Sequence, residues 1–211
     1  MLIAVGSLLI AACLVLIWWD HYKSDKADEA AKQELAKVEN AIAKREPESS
    51  ISNDSRVAFI GEQSKQMPVV EIDGYEYIGY LDMPSLDVKL PVMNTYSEKN
   101  LDIAPCRFYG SLQTDDLVIA GHNFRGGFNK LSNIQKGDKL SFTNMDGDVF
   151  VYVVKDTEML DPDQVTDMVQ SSWDLSLYTC NYTATQRFTV RCSLIEQSQS
   201  QDKNNGSSAG K

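Results

Sequence analysis

The sequence predicts a mainly β fold, an antiparallel barrel or sandwich with a few short helices, set behind an N-terminal membrane-spanning helix. Short strand-like segments separated by turn signals fill residues 67–197. The stretch Leu2 to Trp19 runs eighteen residues without a charge, about the minimum for crossing a bilayer. Between the two lies an alanine-rich, charge-mixed segment that Pro47 terminates.

Taken from the N-terminus, residues 1–23 form the anchor. Trp18 and Trp19 close the apolar run ahead of Asp20, His21, Tyr22 and Lys23, where an interfacial aromatic belt would lie. A cleaved signal peptide fits less well, because Leu14-Val15-Leu16-Ile17 continues the run past the only small-residue pair, Ala11-Ala12. Residues 24–66 read as a juxtamembrane helix and a linker. Ala31, Leu35, Val38 and Ile42 recur on one helical face, and the Ser- and Asn-containing stretch to Gln66 lacks periodicity.

Residues 67–197 are expected to form one domain. Its strands are expected at Tyr75 to Asp82, Val88 to Met93, Leu117 to Gly121, Lys139 to Thr143, Val149 to Lys155, Leu175 to Cys180 and Arg187 to Ile195. Asp73-Gly74, Gly126-Gly127, Lys136-Gly137-Asp138 and Asp146-Gly147 supply turns. Short helices are expected at Ser97 to Ala104, Phe128 to Ile134 and Asp161 to Val169. Residues 198–211, rich in Ser, Gln, Asn and Gly, read as a disordered tail.

Composition narrows the function. A formal charge of -10 argues against a nucleic-acid partner, since phosphate binding needs a basic footprint. Of four cysteines, Cys13 falls in the apolar segment, which leaves Cys106, Cys180 and Cys192 in the domain. An odd number leaves at least one free thiol, so these do not form a disulfide framework.

Only two histidines occur, and His21 belongs to the membrane boundary, so histidine chemistry in the domain must use His122. His122 follows the apolar strand Leu117-Val118-Ile119-Ala120-Gly121. Cys180 ends the strand Leu175-Ser176-Leu177-Tyr178-Thr179, where a strand exit gives a thiol access to solvent. In the next strand, alternation places Phe188, Val190, Cys192 and Leu194 on one face, marking Cys192 as core, and Arg187, Thr189, Arg191 and Ser193 on the other. With residues 181–186 as a hairpin loop, Arg187 stands opposite Cys180, with Cα atoms about 5 Å apart. Arg191 would lie about 13 Å further along.

Ile119-Ala120-Gly121-His122, then Leu177-Tyr178-Thr179-Cys180, then an arginine opening the following strand, resemble in order and spacing the His, Cys and Arg motifs of the sortase family. The resemblance covers roughly residues 75–195 and implies a single eight-stranded sortase β-barrel behind a membrane anchor, with the catalytic domain outside the cytoplasm. It implies a transpeptidase that cuts a C-terminal sorting signal of the Leu-Pro-x-Thr-Gly kind on secreted proteins and passes the acyl group to an amine. That amine belongs to a peptidoglycan precursor or a pilin lysine of a Gram-positive-type bacterium. The roles implied are Cys180 as nucleophile, His122 as acid/base and Arg187 as oxyanion stabiliser, with Thr179 and Asn123 as substrate-binding candidates. No cofactor or metal is needed; Asp115 and Asp116 read as solvated turn acids. The short connection from Asp156 to Trp173 lacks a class B insertion, and no Asp-Pro-aromatic lid precedes Tyr75, which favours a housekeeping-like or class D-like member.

Two other readings compete. An L,D-transpeptidase would show a Ser-His-Gly-Cys nucleophile motif where Tyr178-Thr179-Cys180-Asn181 stands. A non-catalytic membrane-anchored adhesion or scaffold domain would leave His122, Cys180 and Arg187 as unrelated surface residues.

Overall fold

The structure, a computed structural model, describes residues 2–44, 67–124, 126–180 and 185–198, and part of the side chains in the N-terminal helix. The predicted linker up to Gln66, residues 181–184 of the predicted hairpin loop and nearly all of the predicted tail lie outside the described residues.

The chain begins with one helix, α1 (Leu2–Lys44). Nine strands follow: β1 (Val70–Ile72), β2 (Tyr75–Met83), β3 (Val88–Met93), β4 (Cys106–Tyr109), β5 (Leu117–Ala120), β6 (Lys139–Asn144), β7 (Val149–Leu160), β8 (Leu175–Cys180) and β9 (Arg187–Ser198). Two short helices, α2 (Glu98–Leu101) and α3 (Val165–Val169), and two 3₁₀ turns punctuate them. Ser97 caps α2 by accepting from the Asn100 N–H at 3.1 Å. The predicted helix at Phe128 to Ile134 is only a 3₁₀ turn, Leu131–Asn133.

The fold is a mainly β sheet with a few short helices. Its strand order is β1-β2-β3-β4-β5-β8-β9-β7-β6, and β6 also pairs with β2. The pairings therefore return to β2 through eight strands, with β1 added on the edge. The circuit is thinnest between β3 and β4, where a single parallel pair, Met93↔Cys106, joins them. Strands β1 and β4 were not expected from the sequence; at three and four residues they are too short to show alternation.

Alternation divides the apolar residues into two layers. Ile78, Leu81, Val92, Leu117, Ile119, Phe142, Tyr152, Leu175, Leu177, Val190 and Cys192 pack into the larger cluster. Tyr77, Met93, Cys106, Val118, Ala120, Leu160 and Tyr178 form a second one on the opposite strand faces, joined by Met168 of α3. Strand β9 shows what the second layer does. The expected solvated face of Thr189 and Arg191 is buried, because α3 and the chain around it cover that face.

The segment read as a juxtamembrane helix is the second half of α1, and it packs onto the sheet. Ala31 and Val38, two of the four residues of its apolar stripe, are buried in the larger and the second cluster respectively. Glu34 accepts from the Tyr77 hydroxyl at 2.9 Å, Lys37 pairs with Asp73 at 2.7 Å, and Glu39 pairs with Lys89. Among the described residues no helix is long and apolar enough to cross a membrane. The predicted span Leu2 to Trp19 falls in the first half of α1, where most side chains lie outside the description.

Candidate active site

Three strand ends build the site. Strands β8 and β9 pair antiparallel with Cys180 directly opposite Arg187, as the hairpin register required. Strands β5 and β8 run parallel, Leu117↔Leu175 through Ala120↔Tyr178, and the Gly121 N–H extends the ladder to the Tyr178 carbonyl at 3.0 Å. His122 and Cys180 thus both stand two residues beyond the last pair, at the same end of the sheet. The structure brings His122, Cys180 and Arg187 together from positions 122, 180 and 187.

The loop after His122 is folded back on it. The Phe128 N–H donates to the His122 carbonyl at 2.6 Å. Glycine at 121 is required by packing, since a Cβ there would meet the Phe128 ring at 2.6 Å. The imidazole stacks on Phe124, centroids 4.6 Å apart, and its Nε2 lies 3.6 Å from Asp102 Oδ1. That distance is too long for a hydrogen bond and serves only charge attraction when the ring is protonated. Asn123 sits half-buried in the bend beside His122.

Accessibility separates the thiols. Cys180 is exposed, whereas Cys106 and Cys192 are fully buried and burial pushes both thiols up to about 12. Cys106 also donates to the Ala104 carbonyl at 3.3 Å. A thiol held neutral and covered is neither nucleophile nor ligand. Of the cysteines in the β domain, only Cys180 is positioned for chemistry.

The two arginines separate as sharply. Arg191, 2% exposed, donates from Nε to Glu158 at 2.6 Å, from Nη2 to the Asp167 carbonyl at 2.7 Å, and from Nη1 to Ser176 Oγ at 2.8 Å and the Met168 carbonyl at 3.1 Å. Its donors are committed to holding α3 against β8 and β9. The Arg187 guanidinium lies 5.3 Å over the Tyr178 ring, and its buried Nη1 finds no hydrogen-bond partner among the described residues. Arg187 therefore keeps a donor available at the end of the sheet that carries the thiol.

Thr179 is not brought to that side. Alternation turns it away from Cys180, and it is buried with its hydroxyl unpartnered among the described residues. Sequence reasoning missed Tyr178, Tyr96, Phe108 and Asp102. Tyr178 shares the face of Cys180, two residues earlier, and that parity was the available signal. Phe108 reaches Tyr178 edge-on at 5.4 Å and Tyr96 at 5.2 Å. It comes from a β4 bulge between Arg107 and Tyr109 that short-range patterning does not announce.

Among the described residues, no group of His, Cys, Asp and Glu is arranged to hold a metal ion. Asp116, considered above as a turn acid, accepts from the Ser111 N–H at 3.1 Å and from the Thr114 hydroxyl, and so closes its own loop.

The family model of the sortase domain matches residues 81–195, more than half of the chain and the whole of this constellation. The chain belongs to the sortase family. Members of the family are cysteine transpeptidases, and the solved structures similar to this sortase span three classes. Sortase C1 from Streptococcus agalactiae is 25% identical, with 60% of this chain and 71% of that one covered and a TM-score of 0.52. Sortase A from Listeria monocytogenes is 24% identical, covering 58% and 90%, with a TM-score of 0.53. A sortase D5 transpeptidase from Clostridium perfringens is 19% identical, covering 80% and 99%, with a TM-score of 0.57. The latter two likenesses speak to fold alone, and the three do not separate the classes. No curated protein sequence matches this sortase.

Proposed function

We propose that this sortase is a membrane-anchored, extracytoplasmic transpeptidase that cleaves a C-terminal sorting signal of the Leu-Pro-x-Thr-Gly kind and transfers the protein to a cell-wall amine. The observation that carries this reading is the cross-strand pairing of exposed Cys180 with Arg187, beside the strand that delivers His122. The Cys180 thiolate attacks the threonine carbonyl carbon, forming the C–S bond and an oxyanion to which Arg187 donates. Collapse breaks the Thr–Gly C–N bond while the His122 imidazolium protonates the leaving amine. An incoming amine from a peptidoglycan precursor or a pilin lysine then attacks the thioester. Neutral His122 takes its proton, and the C–S bond breaks to restore the thiolate.

Asn123, next to His122, lines the cleft in this reading, and Thr179 supports the nucleophile from the core side of β8. The closed circuit of pairings supports the eight-stranded barrel. Exposed Leu14, Val15 and Trp18 on α1 support an apolar anchor that a bilayer would cover. The lack of an insertion between Asp156 and Trp173 favours a housekeeping-like or class D-like enzyme over class B.

The test is acyl transfer by the full chain in detergent, with a panel of quenched sorting-signal peptides and an amine acceptor, beside Cys180→Ala. Peptide cleavage that requires Cys180 and an amide product that requires the amine are expected. Turnover surviving in Cys180→Ala sinks the reading.

A further inference from the structure

Arg187 has no carboxylate among its described contacts; what the described residues place against it is an aromatic face. The Tyr178 ring lies under the guanidinium at 5.3 Å. That ring is itself held, since Phe108 meets it edge-on at an interplanar angle of 89° and Tyr96 in turn backs Phe108 at 86°. Tyr178 is only 4% exposed. A flexible arginine at the mouth of a hairpin would otherwise sample many rotamers, so a fixed ring is the element that limits where the guanidinium can be.

We propose that Tyr178 is a positioning residue for the reaction, holding the Arg187 guanidinium by a cation–π contact so that its free donor faces the reaction centre, with Tyr96 and Phe108 locking the ring. This rests on the reading of Arg187 as the oxyanion donor. The ring does not touch the reacting atoms. It acts through Arg187, which fixes how its removal must show itself. The aromatic residue two places before the nucleophile is then part of the machinery, and the ring, not its hydroxyl, is the feature that matters.

Two readouts test this on the full chain in detergent: steady-state kinetics with the peptide panel, and the rate of Cys180 alkylation by iodoacetamide across pH. Tyr178→Phe keeps the ring; Tyr178→Leu and Tyr178→Met fill the space without a π face, and the second guards against a packing defect in the first. About a tenfold fall in kcat with KM little changed is expected for Leu and Met, and a change within about threefold for Phe. In an Arg187→Ala background the same substitutions should add nothing, because their target is gone. Alkylation should follow the same order, with Leu and Met resembling Arg187→Ala.

Wild-type kinetics in both Tyr178→Leu and Tyr178→Met overturn the proposal, as does a full additive loss on top of Arg187→Ala. The function can fail separately. If no peptide is turned over by the wild type while alkylation still obeys this order, the sorting reaction is wrong and the positioning of Arg187 stands.

Discussion

Cys180 and Arg187 are direct cross-strand partners at the end where the chain passes from β8 to β9, while Arg191, four residues on, is paired with Ser176 and buried beneath α3. One strand thus carries two arginines in opposite settings, Arg187 with a donor that has no partner among the described residues and Arg191 with its donors committed. Arg187→Ala should lower kcat by about 10²–10³ and leave stability within about 1 kcal/mol. Arg187→Lys should recover little of this, since an ammonium does not reproduce the planar fork. Steady-state kinetics and denaturant midpoints check both.

Arg191→Ala should show the reverse pattern. It strands the carbonyls of Asp167 and Met168 and the Glu158 carboxylate, and costs on the order of 3 kcal/mol. The denaturation midpoint should fall, and activity per folded molecule should persist at temperatures where the variant is native.

Cys106 and Cys192 give the fold an alkaline limit. Both thiols ionise near 9 in the unfolded chain and at about 12 in the folded one, because burial opposes the thiolate. Between those values the unfolded state has lost protons that the folded state keeps. Stability is therefore complete below pH 9 and falls as pH rises through 9 to 12, by up to about 1.4 kcal/mol per pH unit for each group. Urea midpoints should decline above pH 9 and less so in Cys192→Val. At neutral pH, peptide mapping after alkylation should find Cys180 modified and these two untouched.

The helix packed on the sheet makes a stability prediction. Val38→Ala, at a fully buried site, should cost about 2 kcal/mol. Lys32→Ala, whose ion pair with Asp28 is exposed, should change stability by less than about 0.5 kcal/mol. A fragment that starts after α1 should unfold more readily than the full chain by thermal melting.

Gly121→Ala should damage catalysis through the loop that holds His122. A methyl group there meets the Phe128 ring, and Phe128 is the residue whose N–H ties the loop to the His122 carbonyl. A loss of about 1–3 kcal/mol in stability and a marked fall in kcat are expected, and trimming the ring with Phe128→Leu in the same chain should restore part of the activity.

The sequence by itself determined the strands that are long enough to alternate, the single usable histidine and the strand parity that makes Cys192 core. Tyr75 to Asp82, Val88 to Met93 and Leu175 to Cys180 were legible as short strand-forming runs set off by turn residues, and the structure has strands there. The pairing of Cys180 with Arg187 was legible too, because a hairpin is a local structure whose register follows from its loop. Tertiary structure alone decided what covers each face. Nothing local to β9 says that Thr189 and Arg191 are buried, since their cover comes from α3, some twenty residues away in the chain. Nor does anything local say that Ala31 and Val38 of α1 pack on the sheet instead of facing solvent. The aromatic set beside Arg187 is of the same kind: Tyr96, Phe108 and Tyr178 come from three separate segments, and a β4 bulge brings Phe108 into the set. Periodicity reports which face of an element is apolar, and only the packing of the whole chain reports what lies against it.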